Sequence, residues 1–452
     1  MKSDLYLTNG IIATDSVVFR GGVVVQDGKV LRLVEGDEQI DAQEVRDLGG
    51  RLVLPGLVDD HVHFNSPGRD EWEGAKYGSF AAAAGGVTTA LEMPFNANPP
   101  TRNAELLRQK RLVVEAQTVI DMGLWGLLED SNLDELEAMH NEGAVGFKAF
   151  LCDPGGMFGW PRPDDLRQAL QITRRLGSLV GVHAESEELS QEFTLQMQAS
   201  GRVDRPVWCE SRPPAVELEA VQKALEAAEE VGGNLHVVHT TLPQGFAAIQ
   251  QAKSRGASVT GETCPHYLSL SIDDLERIGP AAKCGPPLRS RETVEALWQD
   301  VLAGRVDMIG SDHCPCTPEM KEAGRENIWK AWGGISGIQA MLPVLLTEGV
   351  HRRGLPLTVL VRMTSLNPAR RFGIYPQKGH LGAGADADLV VVDLNREWTY
   401  TPEHLLSRHK GISPYEGFVF KGAVESTYLR GVRVYGEGEI WVEPGYGRVV
   451  RR

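Results

Sequence analysis

Two histidines one residue apart, His61 and His63, follow an apolar run that ends at Asp60. In a β-strand, residues i and i+2 point to the same face, so two imidazoles at a strand's C-terminal end can chelate one metal ion. Taken alone, the pair reads more readily as two surface histidines, since a bare His-x-His is common by chance. The runs Leu179–His183 and Leu235–His239 also end in histidine, and Met308–Asp312 ends in aspartate. One histidine at a strand end is ordinarily a structural residue, whereas several at the same end of successive strands converge. Four imidazoles and a carboxylate suit zinc or a similar divalent ion. His236 and His239 lie an odd number of positions apart and face opposite sides, so His239, nearer the strand end, is the expected ligand. His266 and His313 fall just beyond this geometry and are expected to support the ligands from behind.

Lys148 places an amine inside the apolar run Val145–Phe150. A buried, unpaired ammonium is costly. Composition alone favours a lysine paired with a carboxylate. The alternative is carboxylation by CO2 to an anionic carbamate that bridges two metal ions. With Asp312 and a bridging hydroxide, such a site would keep a net charge of about +1, which polarises a carbonyl while holding hydroxide near neutral pH.

The elements that must position these residues show a regular order. Eight short apolar runs, Leu52–Asp60, Thr88–Met93, Ile120–Leu124, Val145–Phe150, Leu179–His183, Leu235–His239, Ser258–Cys264 and Met308–Asp312, alternate with amphipathic stretches. Helical periodicity is clearest over Ala104–Ala116, Asp164–Leu176, Ala215–Val231 and Arg291–Leu302. This alternation predicts a (β/α)8 TIM barrel, whose active site lies at the C-terminal rim of the strands. Both chain ends read as β, with an Asp27-Gly28 hairpin turn between β-branched runs. Each end is short for its own core. The expected organisation is a small β-sandwich-like domain from residues 1–53 and 379–452, with the barrel, 54–378, inserted between them.

At this point the chain resembles the amidohydrolase superfamily, in its cyclic-amidase branch. Pro55-Gly56-Leu57-Val58-Asp59-Asp60-His61-Val62-His63 is similar to that family's first-strand signature. Thr364–Ala369 and Gly384–Val390 resemble its exit from the barrel. The resemblance implies that His61, His63, Lys148, His183, His239 and Asp312 ligate metal, with Lys148 carboxylated and Asp312 also the catalytic base. It implies two divalent ions, zinc with cobalt or manganese as alternatives, bridged by the carbamate and a hydroxide. Within the branch, the segments His63–Arg69, Trp72–Gly74, Glu92–Asn96, Lys283–Pro287 and Lys330–Ile335 resemble those of allantoinases. Dihydroorotases usually carry Arg where Asn65 stands, and hydantoinases and dihydropyrimidinases carry Tyr where Asp153 stands. Ser66 and Gly285 depart from common allantoinase residues. The implied reaction is hydrolytic opening of the hydantoin ring of allantoin to allantoate, with Arg69, Asn96, Gly285 and Ser336 as candidate substrate contacts. Some relatives have lost their ligands and act as non-enzymatic assembly proteins, but all six ligand positions here carry competent residues. Relatives are commonly homotetramers.

Composition agrees with an enzyme of small molecules. The chain has 452 residues, 42% hydrophobic and 24% charged, and a net charge of −15. That balance argues against nucleic-acid binding and against a basic membrane anchor. No apolar run reaches the ~20 residues of a spanning helix, the first residues lack the apolar core of a signal peptide, and the six cysteines are too sparse for a disulfide scaffold. A cytoplasmic location is expected. Cys314 and Cys316 read as shaping the loop after the eighth strand, Trp329 and Trp332 as capping a loop or stacking on substrate, and Glu226–Glu230 as a solvated helix face. The 50 glycines imply many tight turns.

Overall fold

A computed structural model describes residues 2–452. The barrel strands are Leu57–Val62, Val87–Glu92, Asp121–Leu124 with its continuation Gly126–Leu127, Phe147–Phe150, Val180–His183, Leu235–Val237, Val259–Thr263 and Met308–Ile309. All their pairings are parallel. The ring closes where Val62 bridges His313 and the His63 N–H donates to the His313 carbonyl at 2.8 Å. These strands are buried almost throughout, which is why they read as continuous apolar runs rather than alternating ones. The helices expected from periodicity are Ala104–Gln117, Pro163–Arg175, Pro214–Val231 and Arg291–Leu302. Asn103 and Ser290 cap the first and last, each accepting a backbone N–H of the opening turn.

The run Leu52–Asp60, expected as one strand, divides at Gly56. Leu52–Pro55 lies parallel to Ser3–Ala13 and antiparallel to Leu389–Thr399, and only from Leu57 does the chain join the barrel. The chain passes so close to Val87–Glu92 that a Cβ on Gly56 would stand 2.1 Å from Thr88 Oγ1. Leu52–Pro55 thereby sits in the middle of a nine-stranded mixed sheet built from both chain ends. The Asp27-Gly28 turn joins Val18–Gln26 to Lys29–Glu35 with both residues at positive φ, 51° and 72°. That is the backbone twist a two-residue hairpin requires. Leu7, Ile12, Val23, Val53, Leu389 and Val391 form this sheet's own apolar cluster.

Charge ties the sheet to the barrel floor. Lys378 is buried, and its ammonium lies 2.5 Å from Asp121 on the third barrel strand and 2.8 Å from both Asp386 and Asp388 at the entrance to the sheet. Arg430 also pairs with Asp121, and Lys29 with Asp386. The chain's last residues add to this junction, since Met122 exchanges backbone hydrogen bonds with Arg448 and Val450.

Removing one partner of a buried ion cluster strands the others without compensation, at about 3–5 kcal/mol. Lys378→Met is therefore expected to lower unfolding free energy by about that much. Burial already holds the Asp388 pKa above its ordinary value against the pull of Lys378, and without the ammonium it rises further, so the variant loses further stability as pH rises through the carboxylate range. Urea denaturation at pH 5 and pH 8 checks this. The deficit should be larger at pH 8, and an equal deficit at both would contradict it.

Candidate metal centre and cavity

The parallel barrel brings the C-terminal ends of its strands to one mouth, and the candidate ligands meet there. Asp312 Oδ1 lies 3.3 Å from both His61 Nε2 and His63 Nε2, and the three residues form one buried group of metal-ligand dimensions. His183 Nδ1 faces His239 Nε2 at 2.9 Å. His183 also belongs to a second such group, with Cys152 and Glu185. Two of these residues hold left-handed backbone, His239 at φ 39° and Asp312 at φ 44°, as do the neighbouring Asn65 and Asn96. Such conformations are unfavourable for residues other than glycine and gather where the fold over-determines a functional geometry.

Lys148 is fully buried, and its Nζ has no hydrogen-bond partner among the described residues. It therefore lacks the carboxylate partner that composition alone favoured. Burial pulls its pKa down to about 7, against the attraction of Asp312 and Glu262. His63 is likewise lowered to about 4 by burial, and His183 and His239 are also lowered. Neutral imidazoles, a carboxylate and an amine on the border of neutrality are the forms that bind a cation or, for the amine, react with CO2. An orphaned buried amine amid these donors fits a centre for divalent cations of the zinc type.

A layer of carboxylates beneath the ligands orients them. Glu262, inside the strand Val259–Thr263, accepts from His61 Nδ1 at 2.6 Å, His236 Nε2 at 3.0 Å and the His239 backbone N–H at 3.1 Å. A proton on His61 Nδ1 leaves Nε2 free toward Asp312. Burial pushes the His61 imidazole down, but Asp312 and Glu262 outweigh it and hold its pKa above the ordinary value. His236 is enclosed beneath, with Asp60 and Glu262, as the odd spacing from His239 implied. Glu185 accepts from His183 Nε2 at 2.8 Å. Glu92 accepts the N–H groups of Phe64 and Asn65, and Lys110 donates to it at 3.3 Å. The 66–74 loop is closed by Ser66, whose Oγ accepts from Ala75 N at 2.8 Å and donates to Asp70 at 2.6 Å. The His313 carbonyl supports His63, and its Nδ1 accepts from Gly337 N at 3.1 Å. His266 is buried with its Nε2 unpartnered and its pKa lowered by burial to about 4.

Above this floor opens a cavity of about 240 Å3. Of the four candidate substrate contacts, Asn96 and Gly285 line it. Asn96 Nδ2 lies 3.4 Å from His63 Nδ1, and its Oδ1 is unpartnered. Arg69 and Ser336 are not brought there. Arg69 stacks on Trp72 at 4.7 Å, and the Ser336 carbonyl accepts from Ser413 at 2.8 Å. Gly333, Trp332, Arg212 and Trp208 line the cavity instead. Sequence reading missed Gly333, which stands three positions before Ser336 in the same loop. It also missed the orienting carboxylates Glu262, Glu185 and Glu92, although a glutamate within an apolar strand, as at Glu262 and Glu92, is the same signal that singled out Lys148.

The amidohydrolase family model matches residues 52–434. An allantoinase of Rubrobacter xylanophilus is 44% identical over 98% of this chain and 97% of its own length. An allantoinase of Deinococcus radiodurans is 42% identical over 100% and 99%. The solved L-hydantoinase (dihydropyrimidinase) of Arthrobacter aurescens is 37% identical, covers the whole of both chains and superposes with a TM-score of 0.97. With a family match over most of its length and full-length relatives at this identity, the chain belongs to the amidohydrolase family.

Proposed function

We propose that the protein is an allantoinase, opening the hydantoin ring of allantoin by hydrolysis to give allantoate. The observation that carries this reading is the convergence of His61, His63, His183, His239 and Asp312 on one cavity sized for a small ring, with the buried, unpartnered Lys148 amine within reach of Asp312's charge. Full-length similarity to allantoinases supports the substrate. His61, His63 and Asp312 would hold one divalent ion and His183 and His239 a second, with Lys148, as its carbamate, joining them. Zinc suits these donors, and cobalt or manganese can replace it. When bound, the ions polarise the scissile carbonyl and lower the pKa of a bridging water.

The chain's own groups do the rest. Asp312 reaches the space between His61 and His63, where it accepts the proton of the attacking water. As the new C–O bond forms and the ring C–N bond breaks, it returns that proton to the departing nitrogen. Glu262 and Glu185 keep His61 and His183 in one tautomer and orientation throughout. Asn96 and the main chain of Gly285 and Gly333 line the cavity and contact the ring amide. Where hydantoinases carry a phenol, Asp153 lines the cavity and accepts from Gly156 N of its own loop at 2.7 Å. The branch resemblance adds a homotetramer, and the sparse cysteines suit a reduced, cytoplasmic location. No helix among the described residues is long and apolar enough to cross a membrane.

The high structural similarity to an L-hydantoinase favours a second reading, a hydantoinase of wider range. One panel decides between them. Protein reconstituted with zinc, cobalt or manganese is given allantoin, hydantoin, dihydrouracil and dihydroorotate. The highest kcat/KM is expected on allantoin, and preference for hydantoin or dihydrouracil would overturn the assignment while leaving the fold untouched. Lys148→Ala is expected to lose most bound metal by elemental analysis, with catalysis lost in parallel. Full occupancy of two ions in that variant would contradict the bridging role.

A further inference from the structure

The imidazole of His183 has two nitrogen edges, and the fold gives each a different neighbour. The strand Phe147–Phe150 pairs in parallel with Val180–His183 and sets Phe150 opposite His183, where the two rings stack with centroids 4.5 Å apart and planes 20° from parallel. Held flat in this way, the imidazole presents Nδ1 to His239 Nε2 at 2.9 Å and Nε2 to Glu185 Oε2 at 2.8 Å. Past the strand end, the Leu151 N–H donates to the His183 carbonyl at 3.0 Å, which keeps the next residue, Cys152, close. The Cys152 thiol, a His183 ring nitrogen and a Glu185 oxygen all lie within 4.8 Å of one another.

Of the groups of metal-ligand dimensions among the described residues, this alone contains a cysteine. Cys152, His183 and Glu185 are 7%, 6% and 4% exposed, yet all three line the cavity, so an ion can enter from its mouth. Glu185 Oε1 has no hydrogen-bond partner among the described residues, and Arg212 Nε approaches this oxygen only to 3.7 Å. A buried carboxylate oxygen is normally partnered. Thiol, imidazole and carboxylate together are a donor set for zinc and for softer divalent ions such as cadmium. Burial, aided by the Glu185 charge, keeps the Cys152 thiol protonated, so it ligates only by giving up its proton as a metal binds.

We propose that Cys152, His183 Nε2 and Glu185 form an inhibitory site for a thiophilic divalent cation, separate from the two positions of the dinuclear centre but sharing His183 with it. Binding forms bonds from the ion to sulfur, nitrogen and oxygen and releases the thiol proton to solvent. One thiolate and one carboxylate then balance the charge of the ion. His183 Nε2 carries the proton that it donates to Glu185, so it can ligate only after that proton passes to Nδ1. Nδ1 is the nitrogen that faces His239, and once protonated it cannot hold an ion there. Occupation of the new site therefore loosens the second ion of the dinuclear centre. This goes beyond the allantoinase reading and uses only its dinuclear part, not its substrate.

The test titrates cadmium(II) into the cobalt-reconstituted protein while ultraviolet absorbance, bound metal and hydrolysis of allantoin are followed. A cadmium–thiolate charge-transfer band is expected to grow in as cobalt is released and activity falls. Cys152→Ser is expected to lose the band and to need at least about tenfold more cadmium for half-inhibition, since even supporting groups of a metal site change affinity on that scale. Cys152→Ala carries the same comparison if the serine variant does not fold. Cys314→Ser alters the other cysteine that lines the cavity and is expected to keep both the band and the inhibition. Inhibition with cobalt release but no thiolate band would mean that cadmium simply exchanges into the dinuclear centre, and it would overturn the site. A band that persists in Cys152→Ser overturns it as well. Because the band forms whether or not allantoin is hydrolysed, a wild type inactive on allantoin overturns the substrate assignment and leaves this inference standing on its own measurement.

Discussion

The structure depends on keeping ionisable groups dry at the mouth of a closed barrel. Water excluded from the floor is what lowers the Lys148 amine and the His63, His183 and His239 imidazoles toward their neutral forms. Excluding water also makes each misplaced donor expensive, so the groups that orient the ligands are shared between several of them. Glu262 shows the economy of this arrangement, since one carboxylate serves two imidazoles and a backbone N–H from two other strands and their ends. Its own pKa is pushed up by burial but brought well below the ordinary value by His61 and His236. It thus stays anionic, as an acceptor of these hydrogen bonds must.

Five buried lysines make the same point by contrast. Lys378 is surrounded by three carboxylates and joins two parts of the fold. Lys110 pairs with Glu92 and supports the loop after His63. Lys283 and Lys321 use carbonyl dipoles and immobilise one wall of the cavity. Lys148 alone has no hydrogen-bond partner among the described residues, and it alone lies among the candidate ligands. A buried amine is tolerated when its charge is matched or removed. Where no partner matches it, losing the charge is the remaining route, and burial lowers the Lys148 pKa to about 7.

Backbone strain follows the same division. The turn at Asp27-Gly28 uses positive φ because hairpin twist requires it, and the sequence advertises this with an Asp-Gly pair. His239 and Asp312 use it outside any hairpin turn, past strand ends where the chain must turn while aiming a side chain inward. Their local conformation is set by the barrel rather than by their own preference.

The sequence by itself determined the periodicities, and through them the barrel, four helices to within a residue or so, and the sheet drawn from both ends. It also determined which residue types could ligate a metal, because strand ends in a parallel barrel all face one rim. It did not show that Leu52–Asp60 divides at Gly56, since both halves are apolar and the break is set by the close passage of Thr88. It could not separate Asn96 and Gly285, which reach the cavity, from Arg69 and Ser336, which do not. Loop residues carry no periodicity, so where they point is decided by contacts distant in sequence, such as the lysines that hold residues 328–334. Only the tertiary structure decided that Lys148 has no ion-pair or hydrogen-bond partner among the described residues, because the absence of a partner is a property of the whole surrounding volume.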